Sequence, residues 1–336
     1  MTPSGAGRTT LAAVFPGQGA QYVGMGRELA ERVPAARDVF RRAGEAAGLD
    51  LFRLCTEGPD EALRQTANTQ PAILTASLAC LAAVPLDPAV AAGLSLGEYT
   101  ALVCAGALAL EDAVPLVRLR GQYMQEACEG LDTMMAAIVG LDAESVRAVC
   151  GAHAHLGVVE PSNFNSPGQV VVGGETAAVR AVLDAARAAG ARRAIPLAVS
   201  APFHTRLMAP AAERLAAELE RVPVRDARIP VIANATAAPV RTAGEIRRAL
   251  LAQVASPVRW EESVRVMRAA GVRLFVEIGP GTALSGMIRR TADGAATCHV
   301  EDAASLDETL AALAELAAPS AREARGAAAG PEGVPR

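Results

Sequence analysis

A repeated alternation constrains this chain more than any other feature: a short apolar run, then an amphipathic stretch. "TTLAAVF" precedes such a stretch at 26–45, "PAVAAGLS" one at 97–107 and "RLFVEIGPG" one at 282–291, while "IPVIAN" and "ATCHV" are further apolar runs. Strands alternating with helices predict a doubly wound α/β body with a largely parallel sheet. The rhythm changes between about 132 and 198. There "MMAAIVGL", a helix near 142–152, "LGVVEPSNFNSPGQVVVGG" with a turn at Ser166-Pro167-Gly168, a helix over 175–189 and "ARRAIPLAV" read as βαββαβ, the ferredoxin-like order. The expected organisation is therefore a body formed by 9–131 and 199–317 with 132–198 inserted as a ferredoxin-like subdomain. The ends, 1–8 and 318–336, are rich in Gly, Pro, Ala and charge and are expected to be disordered. At 336 residues and 51% hydrophobic content, the chain can bury a large core in one large domain or about two.

Charge and cysteines narrow the setting. The net charge is −4, so no overall basic field points to nucleic acid, and an acidic partner would need a local patch. No apolar run approaches the roughly 20 residues that span a bilayer. The cysteines, Cys55, Cys80, Cys104, Cys128, Cys150 and Cys298, are scattered without a Cys-x-x-Cys pair, and no signal peptide is visible. A reduced, cytoplasmic protein is expected.

The stretch "AAGLSLGEYT" places Ser95 in the pattern Gly-x-Ser-x-Gly. Such a serine sits on a sharp turn from strand to helix, where flanking glycines tolerate strain and close contacts. Val90–Leu94 then end a strand, Ser95 is a candidate nucleophile and 97–107 the helix that follows. The Leu96 N–H is the natural first donor to an oxyanion. A Gly/Ser turn without a catalytic role is the bland alternative.

A serine nucleophile needs a base, and the chain has four histidines. His153 and His155 fall at the polar end of a helix inside the insertion, where a solvated surface role fits. His204, in "VSAPFHTRLMAPAAERL", follows an apolar strand and precedes a helix, where α/β sheets place their sites. Proximity to a helix N-terminus would keep it neutral. His299, in "ATCHVED", is the rival, because an α/β-hydrolase runs serine, acid, then a late histidine. The residues alone leave both open.

Arg120 lies with Ala113, Val117 and Met124 on the apolar stripe of "LEDAVPLVRLRGQYMQEA", while Glu111, Arg118 and Gln122 share the polar face. A guanidinium aimed inward needs an anion. An internal Asp or Glu could supply it in a structural salt bridge; so could a substrate carboxylate, which suits the bidentate fork of Arg. The glycine-rich "FPGQGAQYVGMG" lacks the Lys of a phosphate loop, and Tyr22 replaces the third glycine of a dinucleotide fingerprint. It can instead present a backbone N–H, such as that of Gln18, to an anion or oxyanion.

Taken together, "FPGQGAQYVGMG", "TQPAILTAS", "GLSLGEYTALVCAGAL", "RGQYMQEA", "SNFNSPGQVVVGG", "SAPFHTRLMAPA", "SPVRWEESV" and "FVEIGPGTALSGMI" occur in the order found in malonyl-CoA:acyl carrier protein transacylases and the related polyketide synthase acyltransferase domains. The chain resembles that family from about residue 10 to 315. The resemblance implies an α/β-hydrolase-like body with a ferredoxin-like insert, and covalent ping-pong transfer of malonyl from coenzyme A to an acyl carrier protein. No permanently bound cofactor or metal is implied. By motif, Ser95 is acylated, His204 is its base, Arg120 pairs with the malonyl carboxylate, and the N–H groups of Gln18 and Leu96 form the oxyanion hole. The histidine is oriented by a backbone carbonyl, that of Gln253, in place of an acid. Phe203 resembles the bulky residue that accompanies malonyl selection by crowding an α-methyl branch. Leu94 departs from the family, which usually has histidine before the nucleophile.

Two other functions compete with the transferase. A hydrolase of acyl groups on carrier proteins would have little use for Arg120 if those groups lacked a carboxylate. A non-catalytic docking module would not need Ser95, His204 and Arg120 intact. The residues do not distinguish fatty acid from polyketide synthesis.

Overall fold

The computed structural model describes residues 10–199 and 201–317. The tails expected to be disordered, 1–8 and 318–336, lie outside the described residues. A six-stranded sheet runs in the order β10-β9-β1-β2-β7-β8, with β1 Leu11–Phe15, β2 Val90–Gly93, β7 Val231–Ile232, β8 Pro239–Val240, β9 Leu274–Ile278 and β10 Ala296–Val300. All its pairings are parallel except β7 with β8. The period of two along each strand sorts side chains between two cores. Ala13 and Phe15 of β1 join Ala91, Leu274 and Val276 on one face; Ala12 and Val14 join Val90, Ala92 and Phe275 on the other. Helices cover both faces, which is why these strands read as nearly continuous apolar runs.

Between Thr133 and Pro196 the chain forms an antiparallel sheet in the order β4-β5-β3-β6, from β3 Thr133–Val139, β4 Val159–Ser166, β5 Gln169–Glu175 and β6 Arg193–Pro196. The helices Ala143–His153 and Thr176–Ala188 pack on it around Ile138, Val146, Val172, Val179 and Val182, which gives the ferredoxin-like arrangement. Backbone bonds from the Phe164 N–H to the Val258 carbonyl (2.9 Å) and from the Val258 N–H to the Ser162 carbonyl (2.8 Å) stitch β4 to the loop after the helix Ala243–Val254. This contact brings Asn163 and Asn165 to the cleft at the carboxyl ends of β1 and β2.

Two helices position the inward arginine. Thr66–Ala83 is apolar nearly all round and buried along most of its length, whereas Leu110–Glu126 is amphipathic. They approach closely at Gly121, where a Cβ would lie 2.6 Å from the Thr66 carbonyl oxygen. That approach sets Gln70 against Arg120.

Candidate active site

The cleft encloses about 290 Å³ and is lined by the loop Pro16–Ala20, by Leu94, Ser95, Arg120, Phe203 and His204, and by Met287 of the helix Ala283–Thr291. It opens where the strands end, as open α/β sheets place their ligand crevices.

Ser95 follows β2 and starts the helix Leu96–Cys104 with φ 53° and ψ −104°. A residue with a side chain at φ > 0 costs of order 1–3 kcal/mol and persists only when its surroundings hold it. Here both sides are held. The Ser95 N–H donates to Asn234 Oδ1 (2.6 Å), and the Ser95 carbonyl accepts from Gln253 Nε2 (3.0 Å). Gly97 is required for a different reason: a Cβ there would lie 2.1 Å from the Phe15 carbonyl oxygen. The Ser95 hydroxyl makes no cap bond to its own helix and is free for other partners.

His204 supplies the first partner, with Nε2 2.7 Å from Ser95 Oγ. Its Nδ1 lies 2.8 Å from the Gln253 carbonyl oxygen, which can only accept. Nδ1 therefore carries the proton and Nε2 presents its lone pair to the serine. Gln253 falls in the last turn of Ala243–Val254, where carbonyls lack an intrahelical partner and carry the negative end of the helix dipole. His204 itself has φ 62°, a second strained residue. Burial, and then the charge of Arg120, push its pKa down from 6.5 to about 4, while the Gln253 carbonyl offsets part of the shift.

Arg120, 1% exposed, is the second partner: Nη2 donates to Ser95 Oγ (3.1 Å) and to Gln253 Oε1 (2.9 Å), and Nη1 donates to Gln70 Oε1 (2.8 Å). These acceptors are all neutral oxygens, and the Tyr99 ring lies with its centroid 5.3 Å from Cζ. Among the described residues it forms no ion pair, and its Nε is buried without a partner. The internal acid that an inward arginine allows for is thus not in contact with it, because amides occupy the positions a carboxylate would take. Burial pushes the Arg120 pKa down.

Other residues singled out by the sequence lie as follows. Gln18, Leu94 and Phe203 line the cleft, and among the described residues neither the Gln18 N–H nor the Leu96 N–H donates to another protein group. His299 stands on the edge strand β10 with Nε2 3.8 Å from Glu301 Oε1, and it is not paired with Ser95. His153 and His155 bond to local backbone carbonyls, those of Val149 and Ala152. Gln70, Asn234, Glu98 and the side chain of Gln253 were not singled out. Only position could have signalled them: Asn234 directly follows an apolar run, and Glu98 is an acid within a buried helical segment.

Residues 13–314 match the family model described as the acyl transferase domain. A malonyl CoA-acyl carrier protein transacylase of Bacillus subtilis is 44% identical over 309 residues, covering 91% of this chain and 98% of its own length. The crystal structure of an acyl carrier protein S-malonyltransferase from Vibrio cholerae superposes with a TM-score of 0.87 at 44% identity, covering 90% of this chain and all of its own. A malonyl-transacylase solved in complex with a type II PKS acyl-carrier protein superposes with a TM-score of 0.88, also at 44% identity, covering 90% of this chain and 100% of its own. The fold and the match over nearly the whole described chain define an acyltransferase. Within that class, the chain belongs to the malonyl-CoA:acyl carrier protein transacylase family.

Proposed function

We propose that the chain moves a malonyl group from coenzyme A to the phosphopantetheine thiol of an acyl carrier protein through an ester on Ser95. The observation that carries the reading is the Arg120 guanidinium: a buried cation on the nucleophile's hydroxyl, with no acid in direct contact, Glu98 reaching it only across the Gln253 amide, and with Nε unpaired among the described residues. An acyl group with a free carboxylate supplies the missing anion where the chemistry occurs.

In this mechanism Ser95 Oγ attacks the thioester carbonyl as its proton passes to His204 Nε2. The carbonyl oxygen becomes an oxyanion, received by the N–H groups of Gln18 and Leu96. Collapse breaks the C–S bond and the imidazolium returns the proton to the departing coenzyme A sulfur. The carrier thiol then gives its proton to Nε2 as its sulfur attacks the ester carbonyl; the C–Oγ bond breaks, and the imidazolium returns the proton to Ser95 Oγ, restoring both residues. No step draws on a resident cofactor or a metal. Phe203 against the cleft favours malonyl over its α-methyl homologue. A cytoplasmic location fits the six free cysteines. The hydrolase alternative leaves the cation unexplained.

The histidine predicts a pH profile. A base acts when neutral, so a pKa lowered to about 4 extends activity toward acid. kcat/KM for acylation by malonyl-CoA is expected to stay level through pH 6.5 and to fall only as the pH approaches 4, on the His204 limb of the free enzyme. A pre-steady-state acylation series across pH checks this; a midpoint at 6.5 contradicts it.

For the carrier, the rim arginines are the candidates. Arg290 is tied to Ser166 Oγ (3.2 Å) and Gln169 Oε1 (3.0 Å), and Arg206 pairs with Glu160 (3.3 Å), so reversing either would also disturb local structure. Arg289 is exposed, and among the described residues its side chain bonds only to the Thr297 hydroxyl (2.8 Å). Arg289→Glu is expected to raise KM for an acidic carrier protein and steepen no other step, leaving self-acylation by malonyl-CoA intact. Equal damage to both half-reactions removes the docking role.

A further inference from the structure

Glu98 is unused in the mechanism above, although it is a carboxylate only 1% exposed in the first turn of the helix that Ser95 begins. A single oxygen, Oε2, accepts from Gln253 Nε2 (2.7 Å) and from the Asn234 N–H (3.0 Å). Each of those residues holds reacting groups. Asn234 binds the Ser95 N–H through Oδ1 and the Gly93 carbonyl through Nδ2 (2.7 Å). Gln253 holds the His204 ring by its carbonyl, the Ser95 carbonyl by Nε2 and Arg120 by Oε1.

The orientation of the Gln253 amide matters here. Reversed, it would turn an NH₂ group toward the guanidinium, donor against donor, and an oxygen toward Glu98. An acceptor at Glu98 permits one orientation only, the one that gives Arg120 an acceptor. We infer that Glu98 is a positioning residue for the acyl transfer: its side-chain oxygen, placed at one reach, fixes Asn234 and Gln253 and through them the nucleophile, its base and the guanidinium. The inference rests on the acyl-serine reading of the site. A competing account makes Glu98 merely a favourable charge at a helix N-terminus, which any acid in the first turn would satisfy.

Two variants separate reach from charge. Burial raises the Glu98 pKa to about 7, so the comparison is made above that pH, where Glu98→Gln keeps the length and an accepting oxygen but loses the charge. Glu98→Asp keeps the charge but withdraws the acceptor by about 1.5 Å, one carbon–carbon bond. Serine acylation is followed in single turnovers with malonyl-CoA and with p-nitrophenyl acetate, an activated ester that has no carboxylate for Arg120 to bind. Glu98→Asp is expected to slow acylation by both donors by about 10²-fold, the scale of an ångström-sized misplacement, with KM for malonyl-CoA little changed. Glu98→Gln is expected to rescue the rate to within about tenfold of wild type, since a neutral acceptor weakens the bonds without moving them. A fully active Glu98→Asp beside a slow Glu98→Gln overturns the inference in favour of charge. Equal loss in both, with KM rising and melting temperature falling in step, overturns it in favour of a structural role. If the wild-type protein reacts with the ester but not with malonyl-CoA, the malonyl reading fails and the ester arm alone decides the role of Glu98.

Discussion

Ser95→Ala is expected to abolish covalent labelling by malonyl-CoA, and His204→Ala to slow acylation by the roughly 10²–10⁴ associated with general-base catalysis. His299→Ala is expected to leave it near wild type. The geometry behind this is direct: Nε2 of His204 is 2.7 Å from Ser95 Oγ, whereas His299 on β10 faces Glu301. Labelled malonyl-CoA, with the protein recovered after denaturation, measures all three variants. Loss of labelling in the His299 variant alone would return the site to the serine, acid, late-histidine order of an esterase.

The second large effect belongs to Arg120. Arg120→Ala is expected to cost malonyl transfer about 3–5 kcal/mol, the usual penalty for removing one partner of a buried ion pair, here completed by the substrate. Acetyl transfer has no carboxylate to lose and is expected to be spared or improved. Burial is the larger cause of the lowered His204 pKa and remains, but the same substitution removes the second, the cation, so the acid limb is expected to move upward from about 4 while staying below 6.5. Comparing malonyl and acetyl transfer, the pH profile and the melting curve on this one variant separates substrate recognition from fold. Parallel loss of both activities with a lowered melting temperature would make Arg120 a structural residue held by Gln70 and Gln253.

What could be read in the chain follows how local its physical cause is. The strands announce themselves because both faces of β1 and β9 are buried, and the elbow because Gly97 must meet the Phe15 carbonyl. Arg120 stands out because a charge on an apolar helical stripe is anomalous within a few residues of sequence. The choice between His204 and His299 was not local. It depends on a contact across 109 residues, and only the ordered motifs resembling a known family favoured His204. Gln70, Asn234 and Glu98 are quieter still: each is an ordinary polar residue until a partner 50, 139 or 155 positions away is brought beside it. For the same reason the partners of Arg120 were open at the level of spacing, which allowed an acid where two amides stand.

The carbonyl behind His204 has a consequence for the lifetime of an acyl-enzyme. A carboxylate in that position would stabilise the imidazolium with a full charge; a peptide oxygen at a helix end offers only a partial one. Burial and the charge of Arg120 lower the His204 pKa to about 4 and the carbonyl offsets only part of that, so the base of the proposed mechanism is weak. Thiols ionise near 8.5 and water near 15.7, so a weak base discriminates between them by acidity. Thiol attack needs little help, while hydrolysis needs much. In the proposed mechanism the partition between handing the acyl group on and squandering it then follows from the burial of the histidine and the guanidinium beside it, with no carboxylate behind the ring to raise its pKa again.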